Sequence, residues 1–294
     1  MKIGYIVRAL RLEFVLGSAL PFIGGSGLAR EPFNALFFFL GLGVVVSTHL
    51  SANLINDYAD STTGVDGQDA HFYKFFGGSK LIQHGIVSAQ WYLGAARICA
   101  ALAVMIMIVL LCLLREPFMF AIAVLALALG WAYSSKPFIL SYRALGEIVV
   151  FILFGPIPFC AGYYVQSGVF FSGAAIFASL PFALLITAVL VANELPDFHT
   201  DYAAGKRTWV SLSKPQWAFL LYALLQAVTA LVIIMGVVFD IYQRWVLVAL
   251  LFMIPAAGAA MIMRRTPFDK KKLIVSSRIS IVEHALIGLI LILG

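Results

Sequence analysis

The sequence predicts an all-α integral membrane protein, a bundle of nine transmembrane helices with a cavity on its cytoplasmic side. Composition and the spacing of apolar runs predict the bundle, and the placement of basic residues sets its orientation. Of 294 residues, 62% are hydrophobic and 12% charged, with a mean hydropathy of +0.99. Soluble domains run at about 45–50% apolar and about 25% charged. No soluble fold buries so much apolar surface, which excludes a soluble enzyme, a secreted module and a disordered regulator. Cys99, Cys112 and Cys160 fall inside apolar runs, so neither a disulfide framework nor a thiolate metal site is implied.

A helix crossing the hydrocarbon core needs about 20 mostly apolar residues. The first candidate, residues 12–29, is interrupted by Glu13, Pro21 and Gly24–Gly25. It starts on an acid and shows no clear small-residue cleavage site, so it reads as a span rather than a leader. Clear runs follow at 34–56, 91–114, 117–134, 143–165, 174–195, 216–238, 244–263 and 279–293. No repeat or low-complexity linker divides the chain, and residues 1–294 are read as one domain. With the N-terminus inside, seventeen of the twenty Lys and Arg residues fall on inner segments, leaving Arg30, Arg115 and Arg244 outside. That satisfies the positive-inside rule and puts the C-terminus outside. It also accounts for the net charge of +6 without a nucleic-acid partner. The expected location is the inner membrane of a bacterial or archaeal cell. Trp91, Trp131, Trp217, Trp245, Tyr163 and Tyr164 stand near span ends, as interfacial aromatics do.

Outer connections are short, but the inner segments 57–90 and 196–215 are long, and each begins on an acidic cluster. The first runs Asn53, Asn56, Asp57, Asp60, Asp66; if the helix continues, Asn53, Asn56/Asp57 and Asp60 share one face until Gly64 and Gly67 break it. The second places Asn193, Asp197 and Asp201 four apart, again on one face. Carboxylates near lipid are costly unless paired or bound to a cation, and crowding them adds repulsion. Oxygen ligands without Cys or paired His point to a hard ion, Mg²⁺ before Zn²⁺, which commonly takes one or two carboxylates together with substrate phosphates. Gly77–Gly78–Ser79–Lys80 and Gly205–Lys206–Arg207 are glycine turns ending in cations, suited to an anion. The plain alternative is that these acids solvate helix ends or pair with loop lysines; two clusters with repeated spacing weigh against it.

Asn56-Asp57-x-x-Asp60-x-x-x-Gly64-x-Asp66 and Asp197-x-x-x-Asp201 resemble the paired aspartate motifs of the UbiA superfamily of intramembrane prenyltransferases. Within it, Gly64 with Asp66, Leu145-Gly146-Glu147, Phe154-Gly155-Pro156, Gly162-Tyr163-Tyr164-Val165-Gln166 and Ala204-Gly205-Lys206-Arg207-Thr208 look like the 1,4-dihydroxy-2-naphthoate (menaquinone) branch. Two positions depart from that branch: Leu12 follows Arg11 where Pro is common, and Glu194 stands where Asn is frequent.

The resemblance implies Mg²⁺-dependent transfer of a polyprenyl group from its diphosphate to an aromatic ring, with dihydroxynaphthoate the leading acceptor. It implies Asp57, Asp60, Asp197 and Asp201 as catalytic metal ligands, and Asn53, Asn56, Asp66 and Asn193 as oxygen donors beside them. Lys80, Lys206 and Arg207 would clamp the leaving diphosphate, and Tyr133, Lys136 and Arg143 would lie near the acceptor or diphosphate. Glu147 is expected to be functional or paired with a basic residue, and His49 and His284 to be satisfied bundle residues. A 4-hydroxybenzoate or homogentisate acceptor is the alternative within the superfamily. A cation transporter using intramembrane acids is the alternative outside it, although the outer half offers only Glu31, Glu116 and Asp240.

Overall fold

The computed structural model describes residues 3–29, 32–63, 71–170 and 172–294; Gly64 and Asp66 lie outside them. The described residues form twelve α-helices: α1 Ile3–Leu10, α2 Leu16–Leu28, α3 Ala35–Thr63, α4 Ala89–Leu114, α5 Pro117–Ala132, α6 Gly146–Leu153, α7 Pro156–Ser167, α8 Gly173–Ala203, α9 Trp209–Ser213, α10 Ala218–Val238, α11 Ile254–Arg265 and α12 Lys270–Leu293. Short 3₁₀ turns precede α2, α6 and α10, and a longer one, Arg244–Met253, leads into α11.

Seven helical stretches are long and apolar enough to cross a membrane, and two apolar ones, Leu12–Leu28 and Pro117–Ala132, are shorter. Those two correspond to the expected runs 12–29 and 117–134. The first carries Pro21 and opens with a 3₁₀ turn. Sixteen residues give α5 a length of about 24 Å, less than a hydrocarbon core of about 30 Å. The expected run 143–165 is two helices, because Gly155 breaks the ladder and Pro156 starts the next helix. The last run begins earlier than expected, at Lys270, where the Asp269 side chain accepts the Lys272 N–H at 3.2 Å and caps the helix.

Helix α8 is the centre of the bundle. In its most apolar stretch 72% of residues are buried, against 11% in α4 at the periphery. It packs on α10, α12, α6 and α7, and Phe182, Leu185, Val191 and Leu195 join cores with Ile233, Tyr222, Ile287 and Met263. Pro196 cannot donate to the Ala192 carbonyl, and the Ser277 hydroxyl of α12 takes that donor's place at 3.3 Å. On the other side α3 packs on α4 and α5, and α2 on α7. Helices α2 and α7 approach so closely that a Cβ on Gly25 would run into the Phe159 carbonyl, and one on Gly162 into the Phe22 carbonyl.

With 29 and 31 residues, α3 and α8 reach about 43 and about 46 Å, longer than the hydrocarbon thickness. Their polar C-terminal turns therefore project together from one end of the bundle. Helix α1, not foreseen from the sequence, lies at that end, with Ala9 buried against Leu54, Leu81 and Tyr92 and with Ile3 and Val7 exposed.

Candidate active site

Where α3 and α8 leave the apolar bundle, a cavity of about 220 Å³ opens between them. Helix α3 contributes His49, Asn53, Asn56 and Asp60 to its wall; α8 contributes Asn193, Glu194, Asp197, Thr200 and Asp201. Val149, Val150, Leu153, Phe154, Ile186, Val189 and Leu190 form the apolar depth, and residues 75–78 with Tyr73 and Lys80 cover the mouth. The two acidic clusters, far apart along the chain, thus share one space.

Asp57 is the exception. It is 2% exposed and absent from the cavity wall. Its Oδ2 accepts the Ser79 N–H at 3.2 Å, and its Oδ1 stands 3.7 Å from the Arg11 guanidinium. On α8, Asp197 both lines the cavity and accepts the Gly77 N–H at 2.9 Å. Each cluster therefore grips the same glycine turn. Gly77 and Gly78 have φ of 73° and 74°, a backbone that glycine adopts without steric cost, and Lys80 has φ 58°. The Ser79 carbonyl accepts the Arg8 Nε–H at 2.7 Å, and the Ser79 hydroxyl lies 2.6 Å from the Tyr92 hydroxyl. Arg8 also stacks over Phe72 at 3.6 Å. Arg8, Arg11 and the aromatics of the 72–76 segment were missed by motif reasoning; their one sequence signal is their closeness to the motifs along an otherwise apolar chain.

The asparagines face the cavity as oxygen donors. The Ser18 hydroxyl donates to the Val15 carbonyl and so accepts from the Nδ1–H of His49 at 2.9 Å. His49 Nε2 must then accept, which turns the Asn53 Nδ2 toward it at 2.9 Å and leaves Asn53 Oδ1 for the cavity. The Asn56 Nδ2 donates to Ser134 Oγ at 2.7 Å and leaves its Oδ1 likewise. Asn193 Oδ1 is buried without a partner. These carbonyl oxygens and the wall carboxylates form a donor set that fits a hard divalent cation. Among the described residues, no three His, Cys, Asp or Glu side chains converge as a ready-made metal cage.

The basic residues divide. Lys80 and Lys206 line the cavity. Lys206 Nζ lies 3.0 Å from Asp201 Oδ2. Burial alone would lower its pKa, but Asp201 and Asp60 outweigh it and hold the ammonium well above the ordinary lysine value. Arg207 is exposed, its guanidinium 5.8 Å from the Tyr202 ring, while its backbone pairs with Tyr142 and Ala144. Lys136 and Arg143 are exposed and off the cavity wall, Arg143 donating to the Pro137 carbonyl at 3.1 Å. Tyr133 lines the cavity. Among the described residues Glu147 meets no basic partner; it accepts the Trp209 N–H. His49 is satisfied at both nitrogens, whereas Nε2 of buried His284 has no partner.

The model of a family described as "UbiA prenyltransferase family" matches residues 18–282. A 1,4-dihydroxy-2-naphthoate octaprenyltransferase of Mycobacterium tuberculosis is 30% identical over 207 residues, covering 69% of this chain and 67% of that one. A solved UbiA homolog from Aeropyrum pernix K1 superposes with a TM-score of 0.70 at 17% identity, covering 94% of this chain and 96% of that one. Another from Archaeoglobus fulgidus, bound to GPP and Mg²⁺, gives 0.61 at 17% identity, covering 99% and 100%.

Proposed function

The chain belongs to the UbiA prenyltransferase family, and on that premise we propose that this membrane enzyme moves a polyprenyl group from its diphosphate to an aromatic acceptor, 1,4-dihydroxy-2-naphthoate before any other. The observation that carries this reading is the joining of Asp60 with Asp197 and Asp201 in one cavity beside Lys80 and Lys206, above an apolar depth. A relative named as an octaprenyltransferase of that naphthoate, and a fold neighbour holding GPP and Mg²⁺, support it.

In this reading Asp60, Asp197 and Asp201 would hold Mg²⁺, with the Asn53 and Asn56 carbonyl oxygens beside them. When bound, Mg²⁺ supplies charge stabilisation to the departing diphosphate. Lys206 and Lys80 add fixed positive charge where negative charge grows as the allylic C–O bond breaks, which favours the transition state over the ground state. The turn at 77–80 is held shut by Asp57, Asp197 and Arg8, so Asp57 acts as a positioning residue. Val149, Val150, Leu153, Phe154 and Ile186 keep water from the allylic cation until the ring carbon attacks and the ring gives up its carboxylate as CO₂. We further propose nine crossings, with the N-terminus and the cavity on the cytoplasmic side, and one domain throughout.

The test is to incubate membranes containing the protein with labelled polyprenyl diphosphate, Mg²⁺ and a panel of aromatic acids, and to identify the product by mass. A prenylated naphthoquinol is expected. Product from 4-hydroxybenzoate alone would move the acceptor, and ion flux into vesicles without product would favour transport.

A further inference from the structure

A group of cations outside the cavity gathers at the turn between α11 and α12. Helix α11 ends on Arg264 and Arg265, α12 opens on Lys270, Lys271 and Lys272, and four residues join them. Asp269 is the one acid in the whole of 241–282. Its carboxylate is occupied locally, accepting the Lys272 N–H at 3.2 Å and lying 3.4 Å from Lys272 Nζ. Among the described residues, no carboxylate stands within ion-pair distance of Arg264, Arg265 or Lys271. Met263 and Leu273, both fully buried, meet in one core, so the two helix ends are clamped side by side and hold their charges together. Like charges fixed so close repel, and an anion relieves the repulsion. Exposed rings surround them. Phe268 is 59% exposed and Trp217 51%. The Arg264 guanidinium lies 5.5 Å from the Phe219 ring, which in turn lies 6.4 Å from Trp217. Three stretches of membrane-crossing length, Pro215–Val238, Arg244–Arg265 and Lys270–Leu293, have an end here, which sets the patch at headgroup depth. Lys270 Nζ lies 5.4 Å from the ring of Tyr73, a residue of the cavity wall, so the patch borders the mouth.

We propose that this turn binds the phosphodiester headgroup of an anionic phospholipid beside the cavity mouth. Arg264 and Arg265 carry planar forks that take phosphate oxygens in pairs. Lys271 and Lys272 add point charge, and Trp217 and Phe268 enter the boundary between headgroups and acyl chains. An acidic soluble partner would match the charge and leave both rings in water; a bilayer matches charge and rings together. The proposal does not depend on the prenyl-transfer reading, because none of these six residues lines the cavity.

The test titrates purified full-length protein in an uncharged detergent and counts bound molecules by native mass spectrometry. The probes are phosphatidylglycerol, phosphatidylcholine with the same acyl chains, and inorganic pyrophosphate. A basic side chain at an anionic lipid surface is worth about fivefold in affinity. Wild type is therefore expected to hold phosphatidylglycerol about tenfold or more tightly than phosphatidylcholine. Changing Arg264, Arg265, Lys271 and Lys272 together to Gln is expected to erase that preference and leave pyrophosphate binding as it was. Arg264→Gln with Arg265→Gln, and Lys271→Gln with Lys272→Gln, are each expected to lose part of it; these pairs decide the matter if gel filtration shows the fourfold variant misfolded. Arg115→Gln with Arg244→Gln removes two exposed cations from the opposite end of the bundle and is expected to keep the preference. Equal affinity of wild type for the two lipids would overturn the proposal, as would a preference that survives in the patch variants or falls equally in the opposite-end control. Pyrophosphate binding that weakens as much as phosphatidylglycerol binding would make the turn a site for free phosphate and overturn the lipid assignment.

Discussion

On α8 the polar side chains spaced four apart, Asn193, Asp197 and Asp201, all reach the cavity. On α3 the corresponding set splits: Asn53, Asn56 and Asp60 face it, while Asp57 turns to the Ser79 amide and Arg11. The difference follows from helix geometry. Adjacent residues point about 100° apart, so Asn56 and Asp57 cannot share a direction, and the flank that receives Asp57 is covered by the 77–80 turn and the segment after α1. Helix α8 has one carboxylate, Asp197, that both lines the site and holds the turn; on α3 those two tasks fall to separate residues. A repeated pattern of acids therefore need not mean a repeated role.

The comparison can be broken most directly at the wall carboxylates. Asp60→Ala, Asp197→Ala and removal of Mg²⁺ by chelation are each expected to lower turnover by about a thousandfold or more, the scale of losing the main charge stabilisation of a transition state. Gel filtration in detergent should show the two variants still folded. Near-normal turnover in Asp60→Ala would remove α3 from the metal site.

Asp57→Asn should behave differently. It leaves Arg11 without its ionic partner and weakens the acceptor for the Ser79 amide, so a stability loss of about 1–3 kcal/mol is expected in thermal melts. Its loss in turnover is expected to be about tenfold, well short of Asp60→Ala. A reversed order of the two aspartates would overturn the division of labour on α3.

Lys206→Met is expected to raise KM for the prenyl diphosphate more than it lowers kcat. The folded pKa of Lys206 lies above its unfolded value, so the Asp201–Lys206 interaction is intact below the ordinary lysine range, near 10.5, and fades only as pH rises through the raised folded value. The smallest effect is expected from Arg8→Ala, a few-fold loss in turnover with normal folding, because Asp57 and Asp197 still hold the turn when the Ser79 carbonyl loses its donor.

Much of the fold was legible because each apolar run long enough to cross a bilayer has few soluble alternatives. The run at 143–165 holds as one apolar stretch long enough to cross, Gly146–Ser167, although a Gly-Pro step within it divides α6 from α7. Helix α1 was not legible: eight residues are too few for a span, and the helix is held by Leu54 and Leu81 from elsewhere in the chain. In the site, the cluster residues were readable from spacing because a helix keeps i and i+4 on one face. Arg207, Lys136 and Arg143 were singled out as basic loop residues, yet the structure leaves them exposed and off the cavity wall.

The sequence by itself determined that the chain lives in a membrane and that carboxyl and amide side chains gather at one end of two apolar runs. Hydropathy and helical periodicity are local properties, readable without knowing any neighbour. Only the tertiary structure decided that Asp57 and Asp197 hold one glycine turn between them, and that the Trp209 amide reaches Glu147. Those contacts join residues dozens of positions apart, and their geometry is set by how the helices pack.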